Sequence, residues 1–230
     1  NNHMNFEQQK NIIKSFLTEF NSFTEKEGVN TKLIAVSKKK PLQLIEVANK
    51  LGINHFGENY PQELRDKDLD KAKKNLDLSW HFIGKLQKNK IKYVAGKAFL
   101  IHSVDTLELA SNINDYCQKF SIVQRILLQV NISNDPNKSG FSKENLSKSF
   151  VAIKKFKYLQ VCGFMTILDF NLDEDQTREN YKSMRELSLQ FQDTDLLEIS
   201  MGMSNDYKEA IIYGSTILRI GSLIFGEREV

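Results

Sequence analysis

TKLIAVSKKKPLQLIEVANKLGINHFGENY, residues 31–60, holds one complete unit of the fold. A short apolar run, LIAV (33–36), ends at Ser37-Lys38. Leu42–Leu51, begun by Pro41, is an amphipathic stretch long enough for a helix, and a second apolar run, INHF (53–56), follows it. Two short strands joined by a helix read as a parallel βαβ unit. Outward from this unit the pattern recurs at 80–83 (WHFI), 99–104 (FLIHSV), 126–132 (ILLQVNI), 161–167 (VCGFMTI), 196–199 (LLEI) and 217–220 (ILRI), with helical stretches such as Leu107–Phe120 and Glu174–Phe191 between. Eight runs over Leu33–Gly226 leave about 24 residues per strand–helix unit, a tight βα repeat. Near-continuous apolar strands predict a parallel sheet covered by helices, and eight of them predict an α/β fold closed as a (β/α)₈ TIM barrel. An open doubly wound sheet is the alternative that periodicity alone leaves. Ile12, Ile13, Phe16, Leu17, Phe20 and Phe23 add a helix ahead of the first strand. Residues 1–3 read as a cloning remnant before Met4, and no linker divides the rest, so one domain over 4–230 is expected.

Composition narrows the function. Among 230 residues, 32 basic and 29 acidic side chains give a net charge of +3, too small an excess to point to a nucleic-acid partner. No apolar run approaches the roughly 18 residues of a membrane span, and no secretory leader opens the chain. Cys117 and Cys162 form no framework, and the four histidines never fall at zinc-ligand spacing. A cytoplasmic protein without metal, membrane or nucleic acid is expected, acting as a monomer.

In a barrel the chemistry sits where strands end. Lys38 follows the first strand directly. It reads either as one lysine of a solvated turn or as an amine projecting into the mouth, where partial desolvation favours the neutral form that attacks carbonyls. Lys39 and Lys40 are expected to face solvent. SMGMSND (200–206) and RIGS (219–222) follow the seventh and eighth strands, the loops that most often bind phosphate in this fold. Gly202 and Gly221 permit close backbone approach, and Ser200, Ser204 and Ser222 offer hydroxyls. Ser204 or Asn205 reads equally as a helix cap. Asn59 is a ligand donor or the cap of the next helix, Trp80 and Phe82 pack, and His81 between aromatics reads first as a core histidine. Lys138 in NKSGF (137–141) sits in a loop that could close over an anion or stay solvated.

AVSKKKP, HFGENYPQEL, WHFIGKLQKNK, IHSVDTLELA, LLQVNISNDPNKSGF, GFMTIL, SMGMSNDYKEAI and GSTILRIGSLIFGER, in that order over 35–228, resemble the pyridoxal phosphate (PLP) homeostasis proteins, the YggS/PROSC family. The resemblance implies a PLP-carrying TIM barrel like the N-terminal domain of alanine racemase. By it, Lys38 forms the Schiff base with pyridoxal 5′-phosphate. Ser200, Ser204, Gly221 and Ser222 lie around the phosphate, Arg219 faces the pyridine nitrogen, Asn59, His81 and Met165 line the cofactor, and Met201 is a further cofactor-binding residue. Lys85, Thr106 and Leu168 depart from the commonest family residues, at the mouth and not at the imine lysine.

The implied function is intracellular PLP homeostasis, by buffering the cofactor or delivering it to PLP-dependent apo-enzymes or free amino acids. The rivals are a PLP-dependent enzyme such as an amino-acid racemase and an imine-forming sugar aldolase. Efficient racemisation is not expected. Arginine at the ring nitrogen weakens the electron sink, and the ten residues after Ile220 leave no room for the extra domain that supplies a tyrosine in alanine racemase. A barrel-mouth residue such as His81 could substitute for that tyrosine.

Overall fold

The helical spacing ahead of the first strand becomes α1 (Phe6–Glu27) in a computed structural model that describes residues 5–191 and 198–226. Asn5 caps α1 by accepting from the Gln8 amide, and Gly28 ends it in left-handed backbone at φ 66°. Its buried stripe is Ile13, Phe16 and Phe20, the two phenylalanines packed on Tyr207. Burial of side chains of this size contributes roughly 1.5–3 kcal/mol each.

Strands and helices then alternate: β1 (Lys32–Val36), α2 (Leu42–Lys50), β2 (His55–Glu58), α3 (Pro61–Lys74), β3 (Ser79–Phe82), β4 (Ala98–Val104), α4 (Leu107–Lys119), β5 (Gln124–Gln129), α5 (Lys143–Ile153), β6 (Leu159–Met165), α6 (Glu174–Gln190), β7 (Glu198–Ser200), α7 (Tyr207–Ile212), β8 (Ile217–Ile220) and α8 (Ser222–Phe225). The β3–β4 connection is a 3₁₀ turn, Lys88–Tyr93, in place of an α-helix. Every strand pairs in parallel with the next, and β8 returns to β1 with Lys32 opposite Ile217 and Ala35 opposite Ile220. That last pairing closes the barrel and removes the open-sheet alternative. Because α8 is a single turn, α1 packs over it and covers this part of the barrel wall.

The expected runs and the strands differ in an instructive way. INHF starts two residues early: Ile53 is buried before the strand begins, and β2 runs on through Gly57 and Glu58. ILLQVNI and VCGFMTI overrun, because Ile132 and Ile167 belong to the following loops. Apolar side chains in the following loops extend the hydrophobic signal beyond the ladder, Ile132 buried and Ile167 exposed at the mouth. Leu196 and Leu197 of the seventh run, the expected cloning remnant and the last four residues of the expected domain lie outside the described residues.

Alternate residues of each strand face the lumen. There Ile34, Leu100, Leu127, Met165 and Ile217 form an apolar cluster separate from the larger core between strands and helices. Above it, at the carboxyl ends of the strands, the mouth opens.

Candidate active site at the barrel mouth

Lys38 is half-buried one residue beyond Ser37, on the wall of a cavity of about 470 Å³ at the mouth. The main chain on either side of it is held by α3. Lys67, buried on that helix, donates from Nζ to the Ser37 carbonyl at 2.8 Å. Glu63, one turn earlier, accepts from the Lys39 amide with both carboxylate oxygens at 2.9 Å. Lys39 adopts left-handed backbone at φ 59°, unusual for a residue with a side chain, and the Glu63 clamp holds it there. Lys67 also pairs with Glu58, whose Oε1 accepts from Ser37 Oγ at 3.2 Å. Burial pushes the Glu58 carboxyl up to about 7 against the pull of Lys67.

Across the cavity stands Arg219, from β8. Its guanidinium donates to Ser200 Oγ at 2.6 Å and to the Thr166 carbonyl at 2.9 Å. A guanidinium has five N–H donors, so others remain for the cavity. Burial lowers its pKa to about 10, with Tyr181 and Asp206 opposing, so it stays cationic at neutral pH. The loops after β7 and β8 form a third wall. Gly202, at φ 107°, could carry no side chain, since a Cβ there would stand 2.6 Å from the Ala210 Cβ. Ser204 and Ser222 line the same wall, and Ser204 Oγ accepts from the Leu223 amide at 3.4 Å, tying the two loops together. Asn59 lines the wall beside Lys38, its Oδ1 buried with no hydrogen-bond partner among the described residues. Gly84 makes that position possible: a Cβ on it would meet the Asn59 carbonyl oxygen at 2.1 Å.

The family model of the alanine racemase N-terminal domain matches residues 16–229. The pyridoxal phosphate homeostasis protein of Aquifex aeolicus is 41% identical over 86% of this chain and 87% of that protein. That of Buchnera aphidicola is 35% identical over 98% and 97%. The chain belongs to the pyridoxal phosphate homeostasis protein family. A solved relative, PipY of Synechococcus elongatus with PLP bound, superposes with a TM-score of 0.80 at 31% identity, over 86% of this chain and 93% of that one. Alanine racemase of Clostridium difficile, at 13% identity and a TM-score of 0.75, shares the barrel fold.

For a chain of the pyridoxal phosphate homeostasis protein family, the residues present fit the group the family name implies. A primary amine, an unpartnered acceptor, a cation and a close-approach glycine wall converge on one cavity. Lys38, Asn59, Ser204, Arg219, Gly221 and Ser222 all line it. Four expected site residues do not. His81, Met165, Ser200 and Met201 are fully buried below the wall, where Ser200 holds Arg219 and Met165 belongs to the lumen cluster. Lys40, expected in solvent, lines the cavity. Neither loop residue caps α7: its N-cap is Asp206, which accepts from the Met203 amide at 2.9 Å. Asn59 is likewise not the cap of α3, whose N-cap is Tyr60.

The sequence reading missed Lys67 and Glu63, which clamp the lysine, and Tyr181 and Asp206, which line the cavity from α6 and the β7–α7 loop. Lys67 on the mouth-facing side of α3 was the findable signal: a lysine on a helix face that is otherwise buried needs a partner. Among the described residues no cluster of histidine, cysteine or carboxylate could hold a metal, and no helix is long and apolar enough to cross a membrane.

Proposed function

We propose that this protein binds pyridoxal 5′-phosphate at the barrel mouth, holds it on Lys38, and buffers or delivers it within the cytoplasm. The observation that carries this reading is the meeting of Lys38, Asn59, Arg219 and the two serine–glycine loops on one cavity, in a chain 41% identical to a pyridoxal phosphate homeostasis protein. When bound, PLP supplies an aldehyde that condenses with a primary amine. Lys38 offers that amine from a backbone pinned on both sides, so little ordering is needed at the moment of binding. Ser204, Ser222 and the backbone near Gly202 and Gly221 would hold the PLP phosphate, and Arg219 would direct its remaining donors at the cofactor. The arginine stays protonated, so it would only donate to whatever group it faces.

Delivery without efficient turnover is part of the same reading. Bond breaking at Cα needs an acid–base group on the face opposite the lysine. His81, the residue considered for that role, is buried beneath the cavity in contact with two other histidines. The rim exposes Ile167, Phe170 and Met203, with Phe170 84% exposed, an apolar surface suited to a protein recipient such as an apo-enzyme. Free amino acids are the alternative recipients, reaching the amine through the open mouth. The protein acts as a monomer.

Titration with PLP, followed by visible absorbance, tests the reading. The unsubstituted protein should acquire a chromophore at one equivalent, and Lys38→Ala should remain folded without it. An unchanged chromophore in Lys38→Ala would remove Lys38 from the site.

A further inference from the structure

Below the cavity the lumen carries a polar ladder that packing alone does not account for. His55 Nδ1 lies 3.0 Å from His81 Nε2, and His81 Nδ1 lies 2.9 Å from His102 Nε2. His102 Nδ1 lies 2.9 Å from Ser200 Oγ, the atom that accepts from Arg219. The chain steps across β2, β3 and β4, then over to β7 and β8. His81, His102 and Ser200 are fully buried, while His55 is half-buried at the opposite end of the barrel, against Phe99. Burial holds both inner rings neutral, and their neighbours reinforce it: His55 and Lys32 at His81, and His81, Arg219 and Lys32 at His102.

A neutral imidazole donates from one nitrogen and accepts at the other, so the whole chain must point one way. Arg219 settles which. It only donates, and it fills one lone pair of Ser200 Oγ. Among the described residues the serine hydrogen then has one acceptor in contact, His102 Nδ1. His102 therefore carries its proton on Nε2 and donates to His81 Nδ1, and His81 Nε2 donates to His55 Nδ1. The reverse polarity would direct a second donor at Ser200 and leave its own hydrogen buried without an acceptor, which is costly.

We propose that His102 and His81 are positioning residues for Arg219: a hydrogen-bond chain of fixed polarity, closed at its far end by His55, keeps Ser200 an acceptor and so aims the remaining guanidinium donors into the cavity. What those donors meet rests on the PLP reading; the chain itself does not.

The first test uses ligand-free protein with ¹⁵N-labelled histidine. Protons should reside on Nε2 of His55, His81 and His102, with scalar couplings across His102 Nε2–His81 Nδ1 and His81 Nε2–His55 Nδ1. A proton on Nδ1 of His81 or His102, or the absence of either coupling, overturns the proposal. The second compares His102→Asn with His102→Gln in PLP-loaded protein. Asparagine places an acceptor where Nδ1 stood and keeps the Ser200 contact, whereas glutamine reaches towards His81 and abandons it. The glutamine variant should bind PLP about tenfold more weakly with a shifted visible absorbance, while the asparagine variant stays within about threefold of the parent. Equal losses in both variants overturn the positioning role, and the parent's ¹⁵N spectrum decides the matter if either fails to fold. Failure of the PLP reading looks different: the parent would bind no cofactor while the nitrogen pattern stands, which retains the chain and replaces the ligand.

Discussion

Lys38 is held by residues that never touch the cavity. Its neighbours' carbonyl and amide are taken by Lys67 and Glu63, and Glu58 completes the cluster from β2. The sequence placed the lysine, because a basic residue directly after a strand is readable. It did not place the clamp, because three side chains drawn from two elements meet only once α3 has packed against β1 and β2. The clamp has a pH signature. Glu58 is raised from 4.5 to about 7 by burial, so between those values the folded state holds a proton that the unfolded chain has released. Stability from this group is thus fully present below pH 4.5 and declines as pH rises to about 7, by at most about 1.4 kcal/mol per pH unit. Glu58→Gln should flatten that part of the curve: denaturation midpoints of parent and variant, compared from pH 5 to 8, should diverge with the parent losing more. Parallel curves would mean that the carboxyl is ionised throughout.

At the scale of elements, the loops after β7 and β8 were legible as a glycine–serine pair, yet their serines divide between two duties. Ser204 lines the cavity, whereas Ser200, the last residue of β7, points into the lumen and holds Arg219. The expected run ended at Ile199 and β7 ends at Ser200, and the apolar pattern of a short strand does not fix its end to better than about two residues. The duties predict different ligand dependence. A hydrogen bond to a charged group contributes about 1.5–3 kcal/mol, so Ser204→Ala should weaken PLP roughly ten- to a hundredfold and hardly change pyridoxal, which lacks the phosphate. Ser200→Ala acts through Arg219 and should weaken both ligands by a similar factor. Binding isotherms for the two ligands separate the cases; equal losses in Ser204→Ala would place that serine outside a phosphate site.

For the whole molecule, the barrel was legible because eight apolar runs at even spacing leave few other closed solutions. The lumen was not, because its polar residues sit singly inside apolar runs. His81 in WHFI and His102 in FLIHSV become neighbours only through the β3–β4 register, with its shift between Trp80 and His81. The fold thus brings together two ends that sequence reading handled unequally: a lysine at the mouth that could be named, and a guanidinium support that could not. The central claim is that the mouth carries pyridoxal 5′-phosphate on one lysine. Borohydride reduction of the PLP-loaded protein, followed by peptide mass mapping, tests it most directly. The account predicts a single added pyridoxyl phosphate mass, on the peptide containing Lys38 and at that residue. The same mass on Lys39, Lys40 or Lys85, or no added mass on any lysine of the mouth, would contradict it.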